Sequence, residues 1–208
     1  MKNRVFFYCA VLICGLLVLN GCISVDRTPD PRFYMLKHRE GNEFTQRIDV
    51  PAGMINLIGP VDIPLYLDRP QIVTQDDLGM MNIAQFDRWG ESLDTAIARL
   101  VIEELNLMLP GGTLEMFPCN FAIPLNYQVL IEVLQLKANL KKDLLLVAQW
   151  SIINPNTRKM LFTKRSDLIQ QIEPHNYSGL ADALSEAVAV LSGEIAHNLS
   201  ILANQAKK

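Results

Sequence analysis

Long apolar runs are scarce in these 208 residues: the longest, positions 5–19, stops at fifteen. A membrane-crossing helix wants roughly 20 such residues, so this run does not span a bilayer comfortably. Histidine is rarer still, with His38, His175 and His197 scattered and none at a zinc-ligand spacing. The chain has no Gly-x-Ser-x-Gly elbow and no Ser-x-x-Lys motif, which removes two familiar routes to an activated serine. Gly111 and Gly112 follow an expected helix where a phosphate loop would precede one. Basic clusters are absent too: nothing longer than Lys141-Lys142 or Lys164-Arg165 occurs before the terminal Lys207-Lys208, so nucleic acid is not an expected partner.

What the chain does have stands at its start. Lys2 and Arg4 form a positive region, the apolar run follows, and Leu19-Asn20-Gly21-Cys22 supplies a small residue at a cut. This tetrapeptide resembles the lipobox of bacterial lipoproteins. The resemblance implies signal-peptidase recognition through Leu19 and Gly21, cleavage after Gly21, a diacylglycerol on the Cys22 thiol and an acyl chain on its new amino group. Each buried CH₂ contributes about 0.8 kcal/mol, and more than one chain turns reversible membrane binding into a stable anchor. Apart from these covalent lipids no cofactor is expected. Of 19 Lys and Arg, Lys2 and Arg4 depart with residues 1–21, so 17 oppose 22 acids and the mature part carries a formal −5. Cys9 and Cys14 leave as well and Cys22 takes lipid, so Cys119 has no second cysteine for an intramolecular disulfide and is expected to be buried.

The 187 residues left suit one domain. Residues 22–31, polar and carrying two prolines, read as a tether, and 32–208 as the domain. Strands are expected at 33–36, 54–61 (Pro60 marking a bulge or a strand end), 71–74 and 79–86, the last two as a hairpin. Further strands are expected at 113–117, 127–137, 144–153 and 159–169. Asn154-Pro155-Asn156-Thr157 reverses the last pair, and the strand over 144–153 is apolar on both faces, as if covered on both sides. Helical periodicity predicts helices over 91–109 and 177–203. The sum is an α+β fold, a single mostly antiparallel or mixed sheet with two long amphipathic helices packed on it.

The adjacent acids Asp76-Asp77 and Glu103-Glu104 read as solvated faces, because neighbours on a strand or helix point apart. A hydrolase would need a cleft uniting His38 or His175 with carboxylates, and no enzyme is expected. The unusual block is 59–89. Gly59-Pro60-Val61, Ile63-Pro64, Tyr66-Leu67-Asp68-Arg69-Pro70-Gln71-Ile72-Val73 and Arg88-Trp89, with Phe33-Tyr34-Met35-Leu36 ahead of them, resemble the ABC-type transport auxiliary lipoprotein family. Gly90 departs from the alanine many relatives carry. The resemblance implies a non-enzymatic periplasmic lipoprotein working with an MCE-domain protein and an inner-membrane permease to move lipid between two membranes. Ile23, in place of an inner-membrane retention aspartate, implies the outer membrane. Tyr66, Asp68, Arg69 and Trp89 are candidates for a surface that docks this partner or neighbouring copies in a homo-oligomer, Tyr, Trp and Arg being the usual hot-spot residues. The plainer alternative is that Asp68-Arg69-Pro70 fixes a turn and Trp89 fills the core. A stand-alone structural or assembly lipoprotein is the second functional reading.

Overall fold

A computed structural model of the chain describes residues 28–38, 47–119 and 124–206. Leu19, Gly21, Cys22 and most of the tether lie outside these residues. The order of elements is β1 (Arg32–Tyr34), β2 (Met54–Asp62), β3 (Gln71–Gln75), β4 (Met81–Trp89), α1 (Leu93–Met108), β5 (Gly112–Met116), β6 (Tyr127–Ala138), β7 (Asp143–Ile153), β8 (Met160–Gln171) and α2 (Tyr177–Gln205).

The strands form two sheets where one was expected. Five make a sheet of order β5-β2-β6-β7-β8, and three make a smaller one of order β1-β4-β3. β2 runs parallel to both β5 and β6, while β6-β7 and β7-β8 are antiparallel hairpins. The split comes from the prolines. Gly59 takes φ 101°, the β2-β6 register slips between Ile58 and Val61, and the Pro64–Pro70 turn then carries the chain off the large sheet. β3 therefore pairs with β4, and β4 accepts β1 in parallel register.

The helices sit together, α1 over β2 and β5, α2 over β7 and β8. The helical repeat of apolar residues is the buried one: Leu93, Ile97, Leu100, Val101, Leu105 and Met108 on α1, and Leu180, Leu184, Ala187, Val188, Leu191, Ile195 and Leu199 on α2, with Leu202 half-buried at its end. Each fully buried Leu, Ile, Val or Met among them contributes about 1.5–3 kcal/mol by leaving water. The facing row of β7, Leu144, Leu146, Ala148, Trp150 and Ile152, is closed to solvent. The opposite row is only partly covered: Val147 and Ser151 are buried, Leu145 and Ile153 half-buried, Gln149 exposed. β7 is thus an interior strand, flanked by β6 and β8 but next to the edge, and fully covered on one face only.

Trp150 shows how the layers lock. Its ring lies 5.3 Å from that of Phe162 and its Nε1 donates to Ser166 Oγ at 3.1 Å. Ser166 in turn donates to Glu194 on α2, which Lys164 pairs at 2.9 Å. Asn176 caps α2 by accepting from the Gly179 N–H at 3.0 Å. Gly90 lies in the link between β4 and α1, outside the helix, where its N–H bonds Tyr34 O at 2.8 Å and a Cβ would run into Met35 Sδ.

Candidate interaction surface

The turn at 64–70 is held by its own backbone and by one side chain. Leu67 N donates to Pro64 O at 2.8 Å and Arg69 N to Leu67 O at 2.8 Å. The Tyr66 hydroxyl takes both backbone groups of Leu136, accepting from its N–H at 3.2 Å and donating to its carbonyl at 3.3 Å. A hydroxyl that donates and accepts in this way fastens the turn to β6 as a ladder partner would. Tyr66, Val73, Met81 and Leu136 then line a groove of about 160 Å³, with Gln75 and Lys137 at its polar end. That volume is below the usual range for small-molecule sites, about 300 Å³ and upward.

The four candidates divide. Tyr66 is half-buried and structural at its hydroxyl, Asp68 is exposed, and Arg69 is half-buried with an enclosed Nε that has no hydrogen-bond partner. Trp89 is 5 % exposed and belongs to the core, its N–H held by Pro70 O at 2.8 Å. Trp89 therefore offers no surface to a partner. Leu65, next to Tyr66 in the turn, and Leu134, two positions before Leu136 on β6, are exposed apolar side chains.

A larger uncovered set lies at the β3-β4 turn. Leu78, Met80, Met81 and Ile83 are all exposed; Leu78 and Met80 occur where a turn would ordinarily carry polar residues, and Met81 and Ile83 follow at the start of β4. That mismatch was the signal available in the sequence.

His38 and Glu104 come together, Nδ1 to Oε1 at 2.8 Å. Glu104 was expected on a solvated face, yet it is 1 % exposed, and a carboxylate so enclosed cannot meet a substrate. His175 Nδ1 lies 2.7 Å from Ile172 O, and His197 is exposed on α2. Cys119 is half-buried rather than enclosed. No group of three or more His, Cys, Asp or Glu able to hold a metal occurs among the described residues, and no helix among them is long and apolar enough to cross a membrane.

Where β1 joins the fold, Arg32 grips Asp87 with Nε and Nη2, each at 2.8 Å, and Tyr34 donates to the same carboxylate at 2.8 Å. Burial, then the bond to Asp87, pushes the Tyr34 phenol above its ordinary range. The Asp87 bond likewise raises the Arg32 guanidinium. The rings of Tyr34 and Tyr177 lie 6.2 Å apart, joining β1 to the first turn of α2.

A search of curated proteins finds no match to the sequence. Two solved structures share the fold. One, an uncharacterised protein, is 16 % identical with a TM-score of 0.67, over 83 % of this chain and 100 % of that one. The other, a protein from Xanthomonas campestris, is 11 % identical with a TM-score of 0.64, over 85 % of this chain and 99 % of that one. The family model for the ABC-type transport auxiliary lipoprotein component matches residues 34–196, from the Tyr34 that binds Asp87 to the middle of α2. The chain is a member of the ABC-type transport auxiliary lipoprotein family.

Proposed function

We propose that this protein is the lipid-anchored, periplasm-facing subunit of an intermembrane lipid-transport system, attached through Cys22 to the outer membrane and serving envelope integrity. It works with an MCE-domain protein and an inner-membrane permease. The observation that carries the reading is the family match over 34–196 on a chain whose Leu19-Asn20-Gly21-Cys22 resembles a lipobox. Ile23 supports the outer membrane, and the tether restricts the domain to that surface: ten residues at about 3.3–3.6 Å each reach at most ~35 Å. A domain so short of reach depends on an elongated partner to deliver its cargo.

Tyr66 with Leu65 and Leu134 supports a protein contact on the β6 side, with the partner or with another copy of this chain. Pull-down of the native lipidated form from detergent-solubilised membranes is expected to bring an MCE-domain protein with it. Cys22→Ala is expected to release the protein from membranes. Recovery of no envelope partner would leave the stand-alone assembly lipoprotein as the better description.

A further inference from the structure

We infer that the β3-β4 turn is a membrane-contacting tip, and that the surface it meets is the bilayer carrying the Cys22 lipids. The inference rests on that anchor and adds a second point of attachment to it.

The tip is built to hold its apolar residues out. Asp76 Oδ1 accepts from Leu78 N at 3.0 Å and Met80 N at 2.8 Å, Gly79 turns at φ 84°, and Gln75 Nε2 donates to Gly79 O at 2.7 Å. Asn139 Nδ2, in the β6-β7 turn, ties Asp77 at 2.8 Å. On this frame Leu78 is 92 % exposed, and Met80, Met81 and Ile83 are each more than half exposed. Four apolar side chains in six positions, two on a braced turn and two on the strand that leaves it, are not the scattered hydrophobes of an ordinary surface.

The direction of β1 selects the occupant. β1 is parallel to β4, with Arg32 opposite Asp87, so the N-terminal end of β1 lies toward the end of the small sheet that carries the turn. From the level of Arg32 to Met81 is about six residues, or ~20 Å at the rise of a strand. Ten residues, 22–31, reach at most ~35 Å, which exceeds the ~20 Å between the level of Arg32 and the tip, so a surface that holds Cys22 is within reach of Leu78.

Charge does not pick out a different occupant. Lys137, Lys141 and Lys142 around this end are matched by Asp76, Asp77 and Asp143. Apolar burial, not attraction to anionic headgroups, therefore drives the contact, and zwitterionic vesicles suffice to show it.

The test uses the full-length lipidated protein with Cys119→Ser and one labelling site, Leu78→Cys or, at the far β7-β8 turn, Lys159→Cys. Each carries a polarity-sensitive nitrobenzoxadiazole dye and is reconstituted on phosphatidylcholine vesicles with and without doxyl-labelled lipid. The dye at 78 is expected to shift to the blue and lose most of its emission to doxyl lipid, while the dye at 159 stays in water. Protein that floats with vesicles while both dyes remain equally unquenched overturns the inference. Shielding at 78 that grows with protein concentration and ignores doxyl lipid assigns the tip to a second copy, and also overturns it. Failure to float defeats the anchoring at Cys22 itself, and is read separately by flotation.

Discussion

Tyr34 donates its hydroxyl to Asp87 Oδ1 at 2.8 Å, beside the two-pronged grip of Arg32 on the same carboxylate. Asp87 is buried and Arg32 largely exposed. This junction is where any pull from a lipid anchor reaches the folded domain, because β1 is three residues long and pairs with β4 alone.

Asp87→Ala leaves the Tyr34 hydroxyl unpaired in a half-buried site and is expected to cost about 1–3 kcal/mol. Arg32→Ala removes an exposed partner and leaves the buried Asp87 its bond from Tyr34, so it is expected to cost less than Asp87→Ala. Urea midpoints for the two variants measure the difference. Equal losses would mean that the ion pair, not the tyrosine bond, holds β1.

Alkaline pH tests the same tyrosine. Burial raises the phenols of Tyr34, Tyr127 and Tyr177, so the folded state holds these protons above the pH at which an unfolded tyrosine, at 10.0, releases them. The stabilisation is complete below pH 10 and is lost as pH rises through the folded values. Thermal melts above pH 10 are expected to fall steeply in the native protein and less steeply in Tyr34→Phe.

The helices and the β7-β8 hairpin were legible because their information is local. Leu93 through Met108 repeats at the helical period, and Asn154-Pro155-Asn156-Thr157 reverses the chain between two strands. The β3-β4 hairpin was legible as well, but its separation into a second sheet and its pairing with β1 were not, since period-two patterning reports which face a strand buries and says nothing of which distant strand it pairs with. β4 joins β1 across the whole 35–80 interval, and no spacing encodes that. Glu104 was not legible for a related reason: residue type suggested a solvated acid, and tertiary packing placed it inside, whereas Trp89 fills the core as the plainer of its two readings had it.

His38 and Glu104 give a sharper energetic test. Replacing His38 by Ala strands a buried carboxylate and is expected to cost about 3–5 kcal/mol. Adding Glu104→Leu to His38→Ala removes the stranded charge and is expected to recover most of that loss. Denaturant unfolding of the single and double variants measures the recovery. Were the double variant as unstable as the single, Glu104 would have to be bound by more than His38.

Asn56 presents the opposite case, a polar group whose removal is expected to help. It lies on β2 between Leu114 and Tyr127, on the row that includes Met54 and Ile58. It is closed to solvent, and neither Nδ2 nor Oδ1 has a hydrogen-bond partner. Burying an amide without compensation costs about 1–3 kcal/mol on the scale of protein substitutions. Leucine has the same branched skeleton with no polar atom to desolvate, so Asn56→Leu is expected to stabilise the domain by up to that amount, less what its larger methyls cost in packing, seen as a higher urea midpoint at unchanged slope. Asn56→Asp is expected to destabilise it by more than Asn56→Leu stabilises, because an ionised carboxylate at that position meets the same apolar walls with no partner. If Asn56→Leu instead lowers stability, the amide is satisfied by a buried water, and a row of β2 that looks dry is wet at its centre.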